Sequence, residues 1–183
     1  MIEAQRVLQG DRVVLRPLAS SDRRRLVRWF SDPQVIRFLG RQSPITLAEE
    51  ERWFRDYEAR PDEQIFAIEV EGQHVGNLGL HKIDKVNRKA QLGIVIGEPA
   101  LWSKGYGSEA IRIALRYAFG ALGLNRVSLD VLEYNERAIR AYENAGFRRE
   151  GLFRENVYKD GRYVSVVRMG ILARDFRDAD PAC

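Results

Sequence analysis

One strongly amphipathic helix is the sequence feature that most constrains how this chain can fold. Between Tyr106 and Leu122, apolar residues recur at three- and four-residue spacing, and Gly123 follows where a helix-ending glycine is expected. Three strand-like segments precede this helix and are joined by short turns, as in an antiparallel meander; they are Ile65–Glu71, His74–Asp84 and Ala90–Gly97. The helix therefore follows a sheet, and its apolar face has to pack on that sheet.

The remaining segments extend the sheet. The first part of the chain predicts a strand at Asp11–Leu18, a helix ending near Phe30, and a helix that the capping box Thr46–Glu49 opens and that runs to about Ala59. The last part predicts a strand, a helix and a hairpin turning at Asp160-Gly161; the segments are Arg126–Leu132, Glu136–Ala145, Phe147–Tyr158 and Arg162–Leu172. We expect an α/β (α+β) fold in which a mixed, mostly antiparallel twisted sheet of about seven strands carries helices on both faces. All of residues 1–183 should form a single domain.

The composition limits the class of protein. Of 183 residues, 45% are hydrophobic and 31% are charged, which excludes a collagen-like or disordered chain. The one cysteine, Cys183, excludes a disulfide within the chain and argues against a cysteine-based metal site. No apolar run approaches the roughly 20 residues of a membrane-spanning helix, and the first residues lack a signal-peptide pattern. We therefore expect a cytoplasmic protein without a membrane partner.

The charge balance is mildly positive. Thirty Lys and Arg residues stand against 26 Asp and Glu residues, a formal net charge of +4. This excess suits an anionic ligand, but it lacks the dense basic patch of a nucleic-acid-binding protein, so we expect no nucleic-acid partner. The sequence leaves a homodimer open.

A glycine-rich loop, Trp102-Ser103-Lys104-Gly105-Tyr106-Gly107-Ser108, precedes the central helix. The glycines allow close approach of the backbone to a ligand, and the helix start presents unpaired N–H groups, so the segment is typical of a phosphate site. Lys104 adds a positive charge and Ser108 a hydroxyl. A Walker A loop is excluded, because Gly107 is not followed by Lys and Ser or Thr. Gly105-x-Gly107-x-x-Ala110 matches the relaxed dinucleotide fingerprint, but the antiparallel meander before it argues against that fold.

A second informative segment runs from Asp130 to Phe147. Asn135 stands at the N-cap position of the following helix, Tyr142 lies within that helix, and Gly146 ends it. Each feature alone has a structural interpretation, as a cap, a core aromatic and a helix-ending glycine. Their combination with the glycine loop favours a functional interpretation over the structural one.

Taken together, these motifs resemble the GNAT family of N-acetyltransferases. Lys104–Ala110 resembles the family's pyrophosphate loop, and Asn135-x-x-Ala138-x-x-x-Tyr142-x-x-x-Gly146-Phe147 resembles its C-terminal acetyl-CoA motif. The segment Tyr158–Tyr163 is similar to the branch that holds ribosomal-protein N-terminal acetyltransferases and spermidine acetyltransferases. One position departs from the family pattern, because Trp102 stands where the family often has Arg or Gln.

The resemblance implies the GNAT (acyl-CoA N-acyltransferase) fold and transfer of acetyl from acetyl-CoA to a primary amine, without a metal. It implies a backbone N–H in the fourth family strand, at about Ile94–Ile96, as the oxyanion donor, and Tyr142 as the general acid. The residues implied to bind acetyl-CoA are Ile94, Val95, Ile96, Trp102, Ser103, Lys104, Gly105, Tyr106, Gly107, Ser108, Asn135, Ala138 and Tyr142.

The general base is less well determined. Asp130 lies near the end of its strand, at a place where some amino-terminal acetyltransferases of the family carry a catalytic carboxylate. Glu133 is the nearby alternative, and for either residue an ordinary solvated or paired carboxylate is equally open. His74 and His81 lie on predicted strands with no cysteine partner, and we expect them to be surface or hydrogen-bonded strand residues.

The acceptor should contact the first two helices and the loops around them, from Arg23 to Arg60. Spermidine acetyltransferases carry acidic residues in the loop after the first helix, whereas this chain has Leu39-Gly40-Arg41-Gln42 there. Arginine repels a polycation, so the sequence argues against a polyamine and leaves a protein N-terminal α-amine, an amino sugar or another small amine. A non-catalytic acyl-CoA-binding sensor is the rival from another functional class.

Overall fold

The computed structural model describes residues 7–40 and 44–178, so Cys183, Arg41 and Gln42 lie outside the described residues. Eight strands form one sheet, and in chain order they are β1 (Leu8–Gln9), β2 (Val13–Pro17), β3 (Gln64–Val70), β4 (Gln73–Asp84), β5 (Lys89–Ile96), β6 (Arg126–Leu132), β7 (Arg148–Lys159) and β8 (Arg162–Leu172). The helices are α1 (Arg23–Trp29), α2 (Pro33–Ile36), α3 (Leu47–Glu58), α4 (Tyr106–Arg116) and α5 (Glu136–Asn144). None of these helices is long and apolar enough to cross a membrane.

The sheet has the strand order β1-β2-β3-β4-β5-β6-β8-β7 and is antiparallel except between β5 and β6. This confirms the predicted mixed, mostly antiparallel sheet. One strand more than expected is present, because Leu8 and Gln9 pair with Leu15 and Val14. A strand of two residues is too short to leave an alternating pattern in the sequence.

Helices cover both faces, as predicted. Side chains of consecutive strand residues point to opposite faces. Accordingly, Ile94 and Ile96 pack into the larger core with α4 and α5, while Val95 packs into a smaller core with α1, α2 and α3. The site between these layers is thus reached from two sides with different linings.

Two predicted helix ends differ from the structure. The chain forms a 3₁₀ turn at Ser20–Asp22 before α1 begins, and α4 ends at Arg116, where Tyr117–Ala121 continue as a wider π turn. Gly120 lies in that turn, and glycine is a poor residue for an α-helix interior. The Asp32-Pro33 pair that ends the first helix also begins α2, since the Asp32 side chain accepts from the N–H of Gln34 at 2.8 Å.

The parallel pairing of β5 and β6 ends early. Lys89–Gln91 pair with Arg126–Ser128, and beyond these three pairs the two strands separate. From Leu92 to Ile96, β5 keeps β4 as its neighbour, and its other edge has no strand partner in the described sheet. The sheet therefore opens at its centre, and the edge of β5 that faces the opening has backbone groups without a strand partner.

Helix α1 is fixed directly above the end of β5. The buried ring of Trp29 covers Gly97, where an added Cβ would come within 1.9 Å of a ring atom, so only glycine fits. The indole N–H of Trp29 donates to Glu98 at 3.0 Å. These contacts hold the first helical layer against the strand that borders the opening.

Helix α2 is fastened to the far side of the opening. The amine of Lys159 donates to the backbone oxygens of Ile36 and Leu39, both at 2.9 Å, and the hydroxyl of Tyr134 donates to the oxygen of Arg37 at 2.6 Å. Lys159 is buried, and burial lowers its pKa. The turn after α2 is thereby held over the ends of β6 and β7.

Strand β7 forms an outer edge of the sheet and is exposed along most of its length. Leu152 and Phe153 are among its exposed side chains. An outer strand presents unpaired N–H and C=O groups to another chain. The homodimer that the sequence left open stays a prediction.

A buried carboxylate ties the start of α4 to β2. Glu109 accepts from the backbone N–H groups of Arg12 and Val13 at 2.7 and 3.0 Å and from the Arg12 guanidinium at 3.0 Å. Burial acts to raise the pKa of Glu109, but these donors together lower it below its usual range. The Arg12 guanidinium also donates to the oxygen of Lys104 at 3.2 Å, so the same contact reaches the glycine loop.

We expect Glu109→Gln to lower the free energy of unfolding at pH 7 by about 2–4 kcal/mol, because the buried donors lose a charged acceptor. The folded pKa is lowered, so the stabilisation is complete above the unfolded glutamate pKa of about 4.3 and is lost as the pH falls from there through the folded value. The difference in the free energy of unfolding between wild type and Glu109→Gln should therefore become smaller in acid. Urea unfolding at several pH values measures this.

The matched control is Glu136→Gln, which also removes a glutamate from the first turn of a helix. Glu136 pairs with Arg140 at 3.3 Å, and both side chains are exposed, so this variant should change stability by less than about 0.5 kcal/mol. Equal effects of the two substitutions would contradict the anchoring role of Glu109.

Candidate active site

A cavity of about 470 Å³ lies where β5 and β6 separate. Its wall brings together nearly all of the residues that the sequence predicted for the site. These are Ile94, Val95, Ile96, Trp102, Ser103, Gly105, Tyr106, Gly107, Ser108, Asp130, Asn135, Ala138 and Tyr142. Lys104 is the predicted residue that does not line this cavity, and its side chain is exposed beside it.

The glycine loop adopts a left-handed backbone immediately before α4. Ser103 has φ of 62° and Gly105 has φ of 88°, a conformation that favours glycine at the second position. Gly105 is the N-cap residue of α4, and among the described residues no side chain caps this helix. Its first N–H groups are therefore available to a ligand, and their charge suits a diphosphate. The loop thus fits the diphosphate of acetyl-CoA.

Trp102 stands where the family pattern often has Arg or Gln, and its indole contacts the protein itself. Its indole N–H donates to the backbone oxygen of Ile96 at 2.8 Å. Its ring lies 5.8 Å from that of Phe38 in an edge-on arrangement, and the Arg137 guanidinium lies over it at 4.0 Å. Trp102 thereby satisfies the last carbonyl of β5 and fixes the loop to both layers of helices.

Asn135 joins β6 to α5 at the cavity wall. Its side-chain oxygen accepts from the N–H of Ala138 at 3.3 Å, and its own N–H donates to the oxygen of Leu132 at 2.8 Å. The predicted N-cap is confirmed. Asn135 is buried, so its position relative to the opening is fixed.

Tyr142 lies on the inner face of α5, with an exposed fraction of 7%. Its ring meets that of Phe147 at 5.8 Å, and no described residue hydrogen-bonds to its hydroxyl. Burial raises the pKa of Tyr142 above the ordinary range of tyrosine. The hydroxyl therefore keeps its proton at neutral pH and can donate into the cavity.

Asp130 lines the cavity, but both of its carboxylate oxygens already accept hydrogen bonds from neighbouring side chains. They accept from the Arg168 guanidinium at 2.5 and 2.8 Å and from the side chain of Gln91 at 3.1 Å. Glu133 accepts from the N–H of Ser165 at 3.0 Å and does not line the cavity. Of the two candidate bases, the structure places Asp130 alone at the site, in an ion pair.

The side of the cavity beneath α2 is largely apolar. The residues that form it come from α2 and the turn after it, from β6, and from the terminal hairpin; they are Val35, Phe38, Leu39, Leu132, Val157 and Val166. Asp130 is the one carboxylate among the described lining residues. This side of the cavity therefore presents mainly carbon atoms.

The histidines lie outside the cavity. The Nε2 of buried His74 lies 2.8 Å from the side-chain oxygen of Asn77, and the Nδ1 of His81 lies 3.6 Å from Glu63. Over residues 7–40 and 44–178, no group of three or more His, Cys, Asp or Glu side chains could hold a metal ion.

Sequence patterns gave no role to Arg12, Glu109 or Arg137. Arg12 and Glu109 are 97 residues apart, so no local spacing relates them. A carboxylate on the buried side of an amphipathic helix was the available signal for Glu109. No motif in the sequence singles out Arg137, and only the fold brings it to Trp102.

Comparison with known proteins identifies relatives along nearly the whole chain. Residues 12–148 match the acetyltransferase (GNAT) domain. Spermidine N(1)-acetyltransferase of Escherichia coli K12 is 29% identical over 164 residues, which cover 90% of this chain and 88% of that protein. N-acetyltransferase p20 of Bacillus licheniformis, itself uncharacterized, is 29% identical over 175 residues, covering 92% and 97%.

The fold is shared with solved acetyltransferases. The crystal structure of spermidine N-acetyltransferase from Vibrio cholerae in complex with CoA and spermine superposes with a TM-score of 0.85 at 28% identity, covering 91% of this chain and 98% of that one. The family match spans the glycine loop, the separated strands and Tyr142. The chain therefore belongs to the GNAT acetyltransferases and is an acetyl-CoA-dependent N-acetyltransferase.

Proposed function

We propose that the acceptor is a primary amine carried by a neutral, largely apolar group, with the α-amine of a protein N-terminus as the first candidate. The observation that carries this proposal is the wall beneath α2, which offers apolar side chains and one carboxylate that is already paired with Arg168. A neutral acceptor group can be buried there without an uncompensated charge.

The same wall argues against a polyamine. Acetylation of one amine of a polyamine leaves at least one further ammonium group, which needs a carboxylate when it is buried. Asp130 is the described lining carboxylate, and its oxygens accept from Arg168 and Gln91. The residues Arg41, Gln42 and Ser43, outside the described residues, add no carboxylate to the sequence.

Arginines also border the acceptor side. The Arg37 guanidinium lies 5.5 Å from the ring centroid of Phe38, and that of Arg162 lies 5.9 Å from the ring centroid of Tyr134. The charges of Arg37, Arg162 and Asp160 all act on the Tyr134 hydroxyl, so two cations stand beside one carboxylate there. An excess of positive charge at the entrance disfavours the approach of a polycation.

The lack of a free carboxylate base favours an α-amine as the acceptor. An alkyl amine has a pKa near 10.4, so at pH 7 about one molecule in a few thousand is neutral, whereas an α-amine has a pKa near 8. Deprotonation of the alkyl amine costs roughly 4–5 kcal/mol, and that of the α-amine much less. Because Asp130 is held in an ion pair, an acceptor with the lower pKa suits this site better.

We infer the following division of roles. The amine nitrogen attacks the thioester carbonyl, its proton leaves through Asp130 or a water beside it, and backbone N–H at Ile94–Ile96 stabilises the oxyanion. The C–S bond then breaks. The ordinary pKa of tyrosine, about 10, is already above that of a thiol, about 8.5, and burial raises the pKa of Tyr142 further, so its hydroxyl keeps its proton and donates a hydrogen bond to the leaving thiolate. The proton lost by the amine, carried by water, then protonates the thiolate.

A polyamine is the second candidate, and the comparisons favour it. Relatives that cover most of this chain are spermidine acetyltransferases, and the Vibrio cholerae structure contains spermine. Against this stands the single, paired carboxylate of the described acceptor wall. The two candidates differ in the charge of the accepted molecule, so a substrate comparison separates them.

An acceptor panel tests the proposal. We expect acetyl-CoA to be consumed fastest with short peptides bearing a free α-amine and an apolar first residue, and at least about 10-fold more slowly with spermidine. Free CoA measures turnover, and mass spectrometry identifies the acetylated atom. Peptides with a blocked N-terminus are the control. Spermidine as the best acceptor would overturn the proposal in favour of the second candidate.

We expect Tyr142→Phe to lower kcat by about 100-fold or more and to leave the KM for the amine unchanged, because the hydroxyl acts on the leaving group. Release of free CoA under saturating acetyl-CoA measures this. Tyr163→Phe, at an exposed tyrosine of β8, is the matched control and should behave as wild type. Unchanged turnover in Tyr142→Phe would remove Tyr142 from the mechanism.

We expect Asp130→Asn to lower kcat/KM and to move its rise with pH to higher values, toward the pKa of the free acceptor. Arg168→Gln is the control, because it breaks the same ion pair but keeps the carboxylate. If loss of the ion pair were the whole effect, the two variants would share one pH profile, and Asp130 would have no part in deprotonation.

A further inference from the structure

Arg137 differs from two arginines beside the site, Arg12 and Arg168, each of which pairs with a carboxylate. Arg12 pairs with Glu109, and Arg168 pairs with Asp130. Arg137 lines the cavity and contacts two aromatic rings, those of Trp102 at 4.0 Å and Phe38 at 5.2 Å. Within residues 7–40 and 44–178, no Asp or Glu forms an ion pair with it.

The position of Arg137 is unfavourable for the protein alone. It lies in the first turn of α5, where the helix dipole repels a cation. It is also partly withdrawn from water, and this burial lowers its pKa. A desolvated guanidinium without an anion is costly, so a ligand that supplies negative charge would remove both penalties.

The surroundings indicate which anion would bind. The Arg137 guanidinium lies over the ring of Trp102, a residue of the glycine loop, and Gly105, Gly107 and Ser108 line the same cavity. The N–H groups at the uncapped start of α4 already fit a phosphate group. Guanidinium is a planar donor that binds phosphate through two parallel hydrogen bonds and stacks on aromatic rings at the same time.

We propose that Arg137 binds a phosphate group of acetyl-CoA, with Trp102 as the platform that orients its guanidinium. The inference rests on the acetyl transfer described above and does not depend on which amine accepts the acetyl group. It gives the loop a cation from α5 in place of Lys104, whose side chain does not line the cavity. The phosphate can be that of the diphosphate or the 3′-phosphate, and truncated ligands distinguish them.

Calorimetric titration of the full chain without any acceptor tests the proposal. We expect Arg137→Gln to weaken CoA binding by about 10- to 100-fold, and Arg137→Lys to weaken it less. Pantetheine has no phosphate, so both variants should bind it with the affinity of wild type. Arg140→Gln is the matched control on the same helix, because Arg140 is exposed and paired with Glu136. Its CoA affinity should not change.

A third ligand identifies the phosphate. If 3′-dephospho-CoA shows the same loss with Arg137→Gln as CoA does, Arg137 binds the diphosphate; if its binding is insensitive to the substitution, Arg137 binds the 3′-phosphate. Raising the salt concentration should reduce the difference in CoA affinity between wild type and Arg137→Gln, because salt screens the charge of the guanidinium.

Two results would overturn the proposal. These are a CoA affinity within twofold of wild type in Arg137→Gln, or an equal loss of pantetheine binding. Thermal unfolding of each variant checks that the chain is folded. Because binding is measured without an acceptor, failure to find an amine substrate leaves this test unaffected.

Discussion

The early end of one strand pairing is the constraint on which the site depends. β5 and β6 share three register pairs and then separate, so the sheet has an opening at its centre rather than a continuous surface. A buried opening leaves backbone groups without partners, and such groups require a ligand or water. Contacts of Trp102 and Asn135 hold the two sides of the opening, and the free edge of β5 lines the cavity between them.

Charge is distributed unequally around this opening. On the coenzyme side, Glu109 neutralises Arg12 and the start of α4 remains uncapped, so the helix keeps its capacity for an anion. On the acceptor side, Arg168 neutralises Asp130 and the wall is apolar. Arg137 lines the cavity between the two sides, and no described Asp or Glu forms an ion pair with it. Its charge is therefore available to an anionic ligand.

Local patterns predicted much of the fold and most of the residues that line the cavity, but not the contacts that join them. The glycine loop, the Asn135 cap and Tyr142 lie on elements whose periodicity and capping are visible in the sequence, and the structure brings them to one cavity. Helix α2 was not predicted, because four residues are too few for a helical period. The Arg137–Trp102 contact depends on how α5 packs beside the loop, which no spacing along the chain encodes.

The fastening of α2 by Lys159 has a consequence for how the protein folds. The two bonds join residues 123 and 120 positions apart in sequence, and closing a loop of that length costs more entropy than forming a local contact. Contacts of such wide separation slow folding, because the entropy of closing the loop is lost before the contacts stabilise the chain. During synthesis, the glycine loop and α4 leave the ribosome well before residue 159. The turn after α2 therefore gains these two hydrogen bonds only after most of the sheet and the whole glycine loop have been synthesised.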